Sequence, residues 1–413
     1  MPQDIHQHTF ANGLTLLAEH MEHVRSAALY FLVPAGCVYD PPQHLGVASV
    51  LSDLIIRGAG SRDSRQLSLA LDSLGVDHDE SVGSIHTSFW GGTLARNLPA
   101  ALELYADILR RPHLPAEEIE PVQSLAVQDL QGLEDEPSQK LLIELKRHHY
   151  PAPLGQDRRG TVEGIESLNE KIIRNHYRKL FRAKGTILSV AGNIEWPALR
   201  DQVERLFGDW GEGEEPSLKL GPQPSPHEHL AKETTQTQIG IAFASVPTGD
   251  PEYWAARGAV GVLSSGGMSS RFFTEVREKE GLCYSVWARY YAFKDRASIF
   301  CYAGTTTERA QRTFDVMMRE LHRLQEGIEP EEVARVQAGL KSSLIMQQES
   351  TNARAGALAS DWYYLGRIRS FDEIQAEVNA LTPERIVAHL RSHPAKDFTI
   401  VTLGQSPLKL PVG

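Results

Sequence analysis

The strongest constraint on this chain is that it compares with itself. At a shift of 213 or 214 residues, Glu117, Glu118, Ile119, Val122 and Gln123 meet Glu331, Glu332, Val333, Val336 and Gln337. The run from Leu168 to Ile172, with His176, meets the run from Leu381 to Ile386, with His389, and Thr186 to Gly192 meets Thr399 to Gly404 near the same offset. One such match would mean little, because helix starts resemble one another. Several at one offset and in one order mean that a single plan is used twice. At 413 residues the chain is also too long for one ordinary core, given ~150 residues per domain.

Two copies need a junction, and proline marks it. Trp210 to Ser217 and Leu220 to His227 concentrate Gly, Pro and charge, which favours an extended, semi-rigid connection. The expected organisation is an N-terminal domain over 1–209, a linker over 210–230 and a homologous C-terminal domain over 231–413. In the first copy, His8 to Ala18 reads as a hairpin with an Asn12-Gly13 turn, and Ser26 to Val33 as a mostly apolar strand. Val47, Val50, Leu51, Leu54 and Ile55 recur with helical spacing. Further helices are expected over Arg65 to Leu74, Leu98 to Leu109, the long stretch Ala116 to His149, and Pro197 to Phe207. Strands are expected from Val76 to Thr93 and over Thr186 to Ala191. Separate strand and helix runs predict an α+β class: two homologous domains, each an antiparallel sheet with helices packed on it.

Composition excludes several classes. The formal charge of −11 offers no basic footprint for nucleic acid, and would weakly favour basic peptides. No run of 18 apolar residues is present, so a membrane span is not expected. Met1 to His8 shows neither a basic leader nor an apolar stretch, so no secretory signal is expected. Cys37, Cys283 and Cys301 lack Cys-x-x-Cys spacing and read as reduced packing residues of a cytoplasmic protein.

The most specific segment runs from Ser265 to Tyr284: Gly266, Gly267, Met268, Ser269 and Ser270, then Arg277 and Tyr284 seven residues apart. No Gly-Lys-Ser/Thr follows the glycines, so this is not a phosphate loop. A guanidinium offers five fixed donors to peptide carbonyls, and a phenol can donate to a developing oxyanion. The alternative is ordinary punctuation, with Arg277 in a charged helix end and Tyr284 as the first core residue of a strand. The segment resembles the glycine-rich loop and Arg/Tyr pair of the pitrilysin/insulinase-like zinc peptidases, which include the mitochondrial processing peptidases. The resemblance extends from the hairpin near Asn12 to the strand ending near Gly404.

That resemblance implies a clam-shell half of a peptidase chamber, with a helix carrying His-x-x-Glu-His. Aligned on Gly46, Ala48 and Leu51, the family's ligand positions fall on Ser49 and Asp53, its general base on Ser52, and its third ligand on Asp129. Ser, Ser, Asp and Asp supply no imidazole, so no zinc is expected in this chain; two aspartates remain compatible with a hard cation such as magnesium or calcium. Clustered histidines such as His148-His149 and His227-Glu228-His229 read as scattered surface residues without a third ligand. What the resemblance implies is a non-catalytic subunit of a heterodimeric zinc peptidase. A partner subunit would hold the zinc, and Arg277 and Tyr284 would contact the peptide. A structural or peptide-binding homologue without proteolysis, or a hydrolase with an unrecognised site, is the alternative.

Overall fold

The computed structural model describes residues 3–265 and 267–410. The chain forms two compact units that are not contiguous in sequence. The first comprises 1–132, 156–220 and 347–362; the second comprises 133–155, 221–346 and 363–413. Each copy therefore lends one segment to the other's unit.

The first unit is built on a six-stranded sheet in the order β1-β2-β6-β3-β5-β4. β1 (Asp4–Thr9) and β2 (Thr15–His20) form the hairpin, β3 is Ser26–Val33, β4 is Asp77–Val82, β5 is Thr87–Leu94 and β6 is Ile187–Gly192. Asn12 does more than turn the hairpin: its amide donates to the carbonyls of Phe207 at 2.7 Å and Trp210 at 3.2 Å. The helices are α1 (Val47–Ile55), α2 (Ser64–Ser73), α3 (Leu98–Arg110) and α4 (Ile119–Gly132); after α5 (Pro137–His149) come α6 (Val162–Glu166), α7 (Glu170–Leu180) and α8 (Trp196–Phe207). The apolar faces of α1 and α3 bury Val47, Val50, Leu54, Ile55, Leu102 and Leu109 against Leu16, Leu29 and Phe31 of the sheet.

The second unit has a five-stranded sheet in the order β7-β11-β8-β10-β9. β7 is His227–Ala231, β8 Gln236–Ser245, β9 Cys283–Ala292, β10 Ala297–Thr306 and β11 Thr399–Gly404. Its helices include α9 (Tyr253–Val260), α10 (Ala310–Arg323) and α11 (Pro330–Gln348), followed after α12 (Thr351–Leu365) by α13 (Phe371–Asn379) and α14 (Pro383–Ser392). The strand plan repeats that of the first sheet. β6 and β11 each run antiparallel to β3 or β8 and parallel to β2 or β7.

Three expectations need correction. The sheets are mixed, because the last strand of each copy enters beside an early strand pointing the same way. The stretch from Ala116 to His149 is not one helix. It breaks after Gly132, where a 3₁₀ turn over Leu133–Asp135 and Pro137 at the start of α5 interrupt the hydrogen-bond ladder. The expected linker ends in β7, which pairs with β11, and begins with Trp210 buried in the first core.

The lent segments fit their sheets by size. α5 lays Leu141 and Leu145, both fully buried, against β8 at Gly240, where an added Cβ would meet Leu145 at 3.0 Å. α12 brings small residues to the first sheet: Ala355 accepts a hydrogen bond from Ser189 Oγ at 2.6 Å, and Gly356 faces Tyr30. Arg354 forms a buried ion pair with Glu19 of β2 at 2.6 Å.

Candidate functional site

α1 starts under an unusual cap. Gly46 takes a left-handed conformation, and the carboxylate of Asp40, six residues upstream, accepts the N–H groups of Gly46 at 2.8 Å and Ala48 at 3.2 Å. Burial pushes Asp40 up to about 7, against the lowering effect of those two donors. His176 Nε2 lies 3.7 Å from Asp40 Oδ1, and burial lowers that imidazole to about 4. The segment carrying Arg158 to Gly160 is clamped onto the same helix start. A Cβ on Gly160 would fall 2.2 Å from the Leu45 backbone, and one on Gly46 2.7 Å from the Arg159 carbonyl. These two glycines are required by close approach as well as by positive φ.

The four positions of the family's metal site come out as follows. Ser49 Oγ donates to the Arg158 carbonyl at 2.7 Å, and Ser52 is buried. Asp53 has an exposed surface, yet enough protein surrounds it that desolvation raises its carboxyl above the usual range; Arg57 opposes the rise and Asp129 adds to it. Asp129 is held by Arg159 Nε at 2.9 Å, and Arg159 also reaches Asp157 at 3.2 Å. Glu80 of β4 is pushed up to about 7, first by burial and then by Asp79 and Asp53.

This set does not fit zinc. One serine donates its hydroxyl hydrogen bond to a backbone carbonyl, the carboxylate at the third-ligand position is already paired with a guanidinium, and none of the four positions carries an imidazole. Among the described residues no group of three or more His, Cys, Asp or Glu side chains is placed to hold a metal ion. Arg159 supplies the positive charge that Asp129 meets in this fold. Nothing in the sequence marked it, because it lies 30 residues beyond Asp129 and meets it only in the fold.

In the second unit, α9 passes into π-helical turns over Gly261–Ser265, a 3₁₀ turn over Gly267–Ser269, and a second π-helical segment over Phe273–Lys279. Gly266 lies outside the described residues. Gly267 has φ of 59°, Met268 is 73% exposed, and Ser269 is exposed. Ser270 is buried and bonds back to the Gly267 carbonyl at 3.0 Å. Next to it, Arg271 is anchored on Glu332 at 2.7 Å. The loop is thus fixed at its C-terminal end and open at Met268.

The register of β9 explains Tyr284. Ser285 pairs with Gly304 and Cys283 with Thr305, so Tyr284 is the extra, unpaired residue of a β-bulge. A bulge re-aims a side chain. Tyr284 is 84% exposed, which removes the alternative that it is a strand's first core residue; Cys283 packs against the core instead. The Arg277 guanidinium sits 4.8 Å from the Tyr284 ring and 4.7 Å from the Phe273 ring. Among the described residues Arg277 has no carboxylate partner. Both rings contact its guanidinium. The structure therefore brings Arg277 and Tyr284 together. Of the histidine pairs, two members depart from the surface reading: His149 bonds Ser298 at 2.7 Å and Thr399 at 2.9 Å and is lowered by burial to about 4, and half-buried His229 bonds Thr402 at 2.9 Å.

A two-unit α+β scaffold with an Arg/Tyr pair after a glycine-rich turn defines a peptidase-like class, and comparison with known proteins agrees. Residues 15–161 match the insulinase family, peptidase family M16, and residues 167–340 match the peptidase M16 inactive domain. The chain belongs to peptidase family M16. It is 26% identical to an uncharacterised zinc protease of Rickettsia bellii over 91% of both chains. It is likewise 26% identical to one of Bacillus subtilis, over 97% of this chain and 98% of that one. In fold it matches a peptidase M16 inactive domain from Pseudomonas fluorescens with a TM-score of 0.89 at 19% identity, covering 99% of this chain and 100% of that one.

Proposed function

We propose that this chain is a non-catalytic, substrate-contacting subunit of a zinc metallopeptidase. A partner subunit of the same family would supply the zinc with its His-x-x-Glu-His helix, and this chain would supply Arg277 and Tyr284. The observation that carries the reading is the contrast within the molecule. Where metal ligands belong, α1 offers serine hydroxyls and α4 an arginine-paired aspartate, while Tyr284 is turned outward by a bulge beside Arg277, which has no carboxylate partner among the described residues. A guanidinium already in contact with two rings loses less freedom on binding peptide carbonyls than one standing in solvent. Cys37, Cys283 and Cys301 are not joined in disulfides, which suits the cytoplasm. No helix among the described residues is long and apolar enough to cross a membrane.

The test is co-purification from the native host, followed by peptidase assay of the complex and of this chain alone. The complex should cleave peptides and the isolated chain should not, with or without added zinc. In the complex, Tyr284→Phe should lower turnover by ~100-fold if the phenol serves the oxyanion. Arg277→Ala should weaken peptide binding by roughly 1.5–3 kcal/mol per lost charged hydrogen bond. Hydrolysis by the pure chain, or a complex indifferent to both substitutions, would overturn the proposal.

A further inference from the structure

We infer that the C-terminal unit selects peptides that carry carboxylates, and that Arg289 is a second contact for them alongside Arg277. This rests on the reading above and names the chemistry of the peptide. The chain as a whole is acidic, at −11, and many arginines of this unit are spent on its own carboxylates. Arg271 pairs with Glu332, Arg312 with Glu280, and Arg323 with Glu275. Arg277 and Arg289 differ. Among the described residues neither has a carboxylate partner, and each rests on an aromatic ring instead.

The support under Arg289 is built in layers. Its guanidinium lies 4.5 Å from the Trp287 ring, Trp287 stacks on Tyr302 at 5.3 Å, and the Tyr302 hydroxyl donates to Gln238 at 2.6 Å. The register places Trp287 and Arg289 opposite Tyr302 and Phe300, on the face of the sheet turned away from the core. A guanidinium lying on a ring keeps its in-plane fork of donors free, and that fork matches a carboxylate's two oxygens better than a single carbonyl. Two acidic groups close to Arg277 are engaged, Glu275 by Lys279 and Glu280 by Arg312, and the neighbouring Glu278 is exposed to solvent. β9 is the edge strand of its sheet, and Tyr284 and Arg289 lie five residues apart along it. At ~3.3 Å per residue they are about 17 Å apart, within reach of one extended peptide of roughly six residues. Overall charge alone would favour basic peptides, so an acidic preference would have to come from this face.

The experiment is fluorescence anisotropy on the full chain with three labelled ten-residue peptides of one backbone sequence. One carries Asp and Glu, one Asn and Gln at the same positions, and one Lys. The acidic peptide should bind at least about tenfold more tightly than the amide peptide, the effect of one charged hydrogen-bonded pair. Arg289→Gln should remove most of that preference while leaving the thermal unfolding midpoint in place, since the side chain is exposed; Arg289→Lys should keep part of it. Equal or better binding of the amide or Lys peptide, or a preference that survives Arg289→Gln, overturns the inference. If all three peptides bind alike and Arg277→Ala abolishes that binding, only the acidic selectivity fails and the substrate-contact reading stands. Binding by none of them overturns both.

Discussion

In the first unit the stretch after β3 winds into a regular helix, α1, whose start is held by Asp40 with His176 behind it. In the second unit the stretch after β8 begins alike, with Glu252 at the start of α9 and buried His389 at 3.5 Å from it, but then loosens into π-helical turns and glycines. Around these divergent stretches the two units keep the same bonds. Gln123 donates to the carbonyls of Ile165 and Leu168, and Gln337 to those of Val378, Asn379 and Leu381. Arg57 meets Glu118 as Arg271 meets Glu332, and Thr93 bonds Leu74 as Thr305 bonds Leu282. The duplication thus preserved the scaffold's polar joints while the segments that face chemistry drifted apart. Wider helical turns recur at functional sites, and here the second of them contains Arg277 and ends five residues before Tyr284.

The repeated joints are not equally strong, and that can be measured. The Arg271–Glu332 pair has side chains only 6% and 14% exposed and a further bond to the Gly327 carbonyl, whereas Arg57 and Glu118 are 32% and 37% exposed. Arg271→Ala should strand a buried carboxylate and cost roughly 3–5 kcal/mol in denaturant unfolding. Arg57→Ala should cost about 1 kcal/mol or less. Equal costs would mean that the symmetry of contacts outweighs burial.

The two acid–histidine pairs should separate by pH. Asp40 is raised to about 7 and His176 lowered to about 4. Alone, Asp40 binds its proton more tightly when folded, so its contribution to stability falls as pH rises through that range. His176 does the reverse, since the unfolded chain holds its proton up to ~6.5. Between about 4 and 6.5 the two proton counts cancel, and this pair should leave stability flat. His176→Gln should unmask Asp40, making stability fall with rising pH by up to ~1.4 kcal/mol per unit. His389 is also lowered by burial and by His393, against the raising effect of Glu252 and Asp250. Glu252 is 40% exposed, so His389 has no buried carboxyl beside it to match Asp40 beside His176. Acidification below ~6.5 should therefore weaken the second unit first, and His389→Gln should blunt that loss. Unfolding followed by hydrogen exchange in each unit across pH 4–8 checks both signs.

Smaller effects sharpen the comparison further. Gln337→Ala leaves three carbonyls without their donor and Gln123→Ala two, so both should lose roughly 1–3 kcal/mol, the former more. The smallest effect belongs to the Arg159–Asp129 pair. Arg159→Gln should cost under about 1 kcal/mol, because Asp129 is 67% exposed. The double variant Arg159→Gln/Asp129→Asn should recover that loss, as thermal melts would show. A double variant no better than the single one would mean that Arg159 acts through Asp157 rather than as the counter-ion of Asp129.

Sequence alone determined what depends on local pattern and residue chemistry. The 213-residue offset, the helical spacing through Val47 to Ile55 and the strand over Ser26–Val33 all appear in the fold because periodicity reports which face of an element is apolar. That Ser49 and Asp53 carry no imidazole is equally plain, since ligand chemistry follows from residue type. Periodicity does not say which sheet an apolar face will meet. Leu141 and Leu145 could have packed on either copy's sheet, and only the space at Gly240 sends α5 to the second; the small residues of α12 suit the first in the same way. The bulge at Tyr284 and the seating of Arg159 on Asp129 belong to this second kind of fact. Register and long-range charge pairing are decided by how the packed surfaces fit, and no short stretch of sequence contains both sides of that fit.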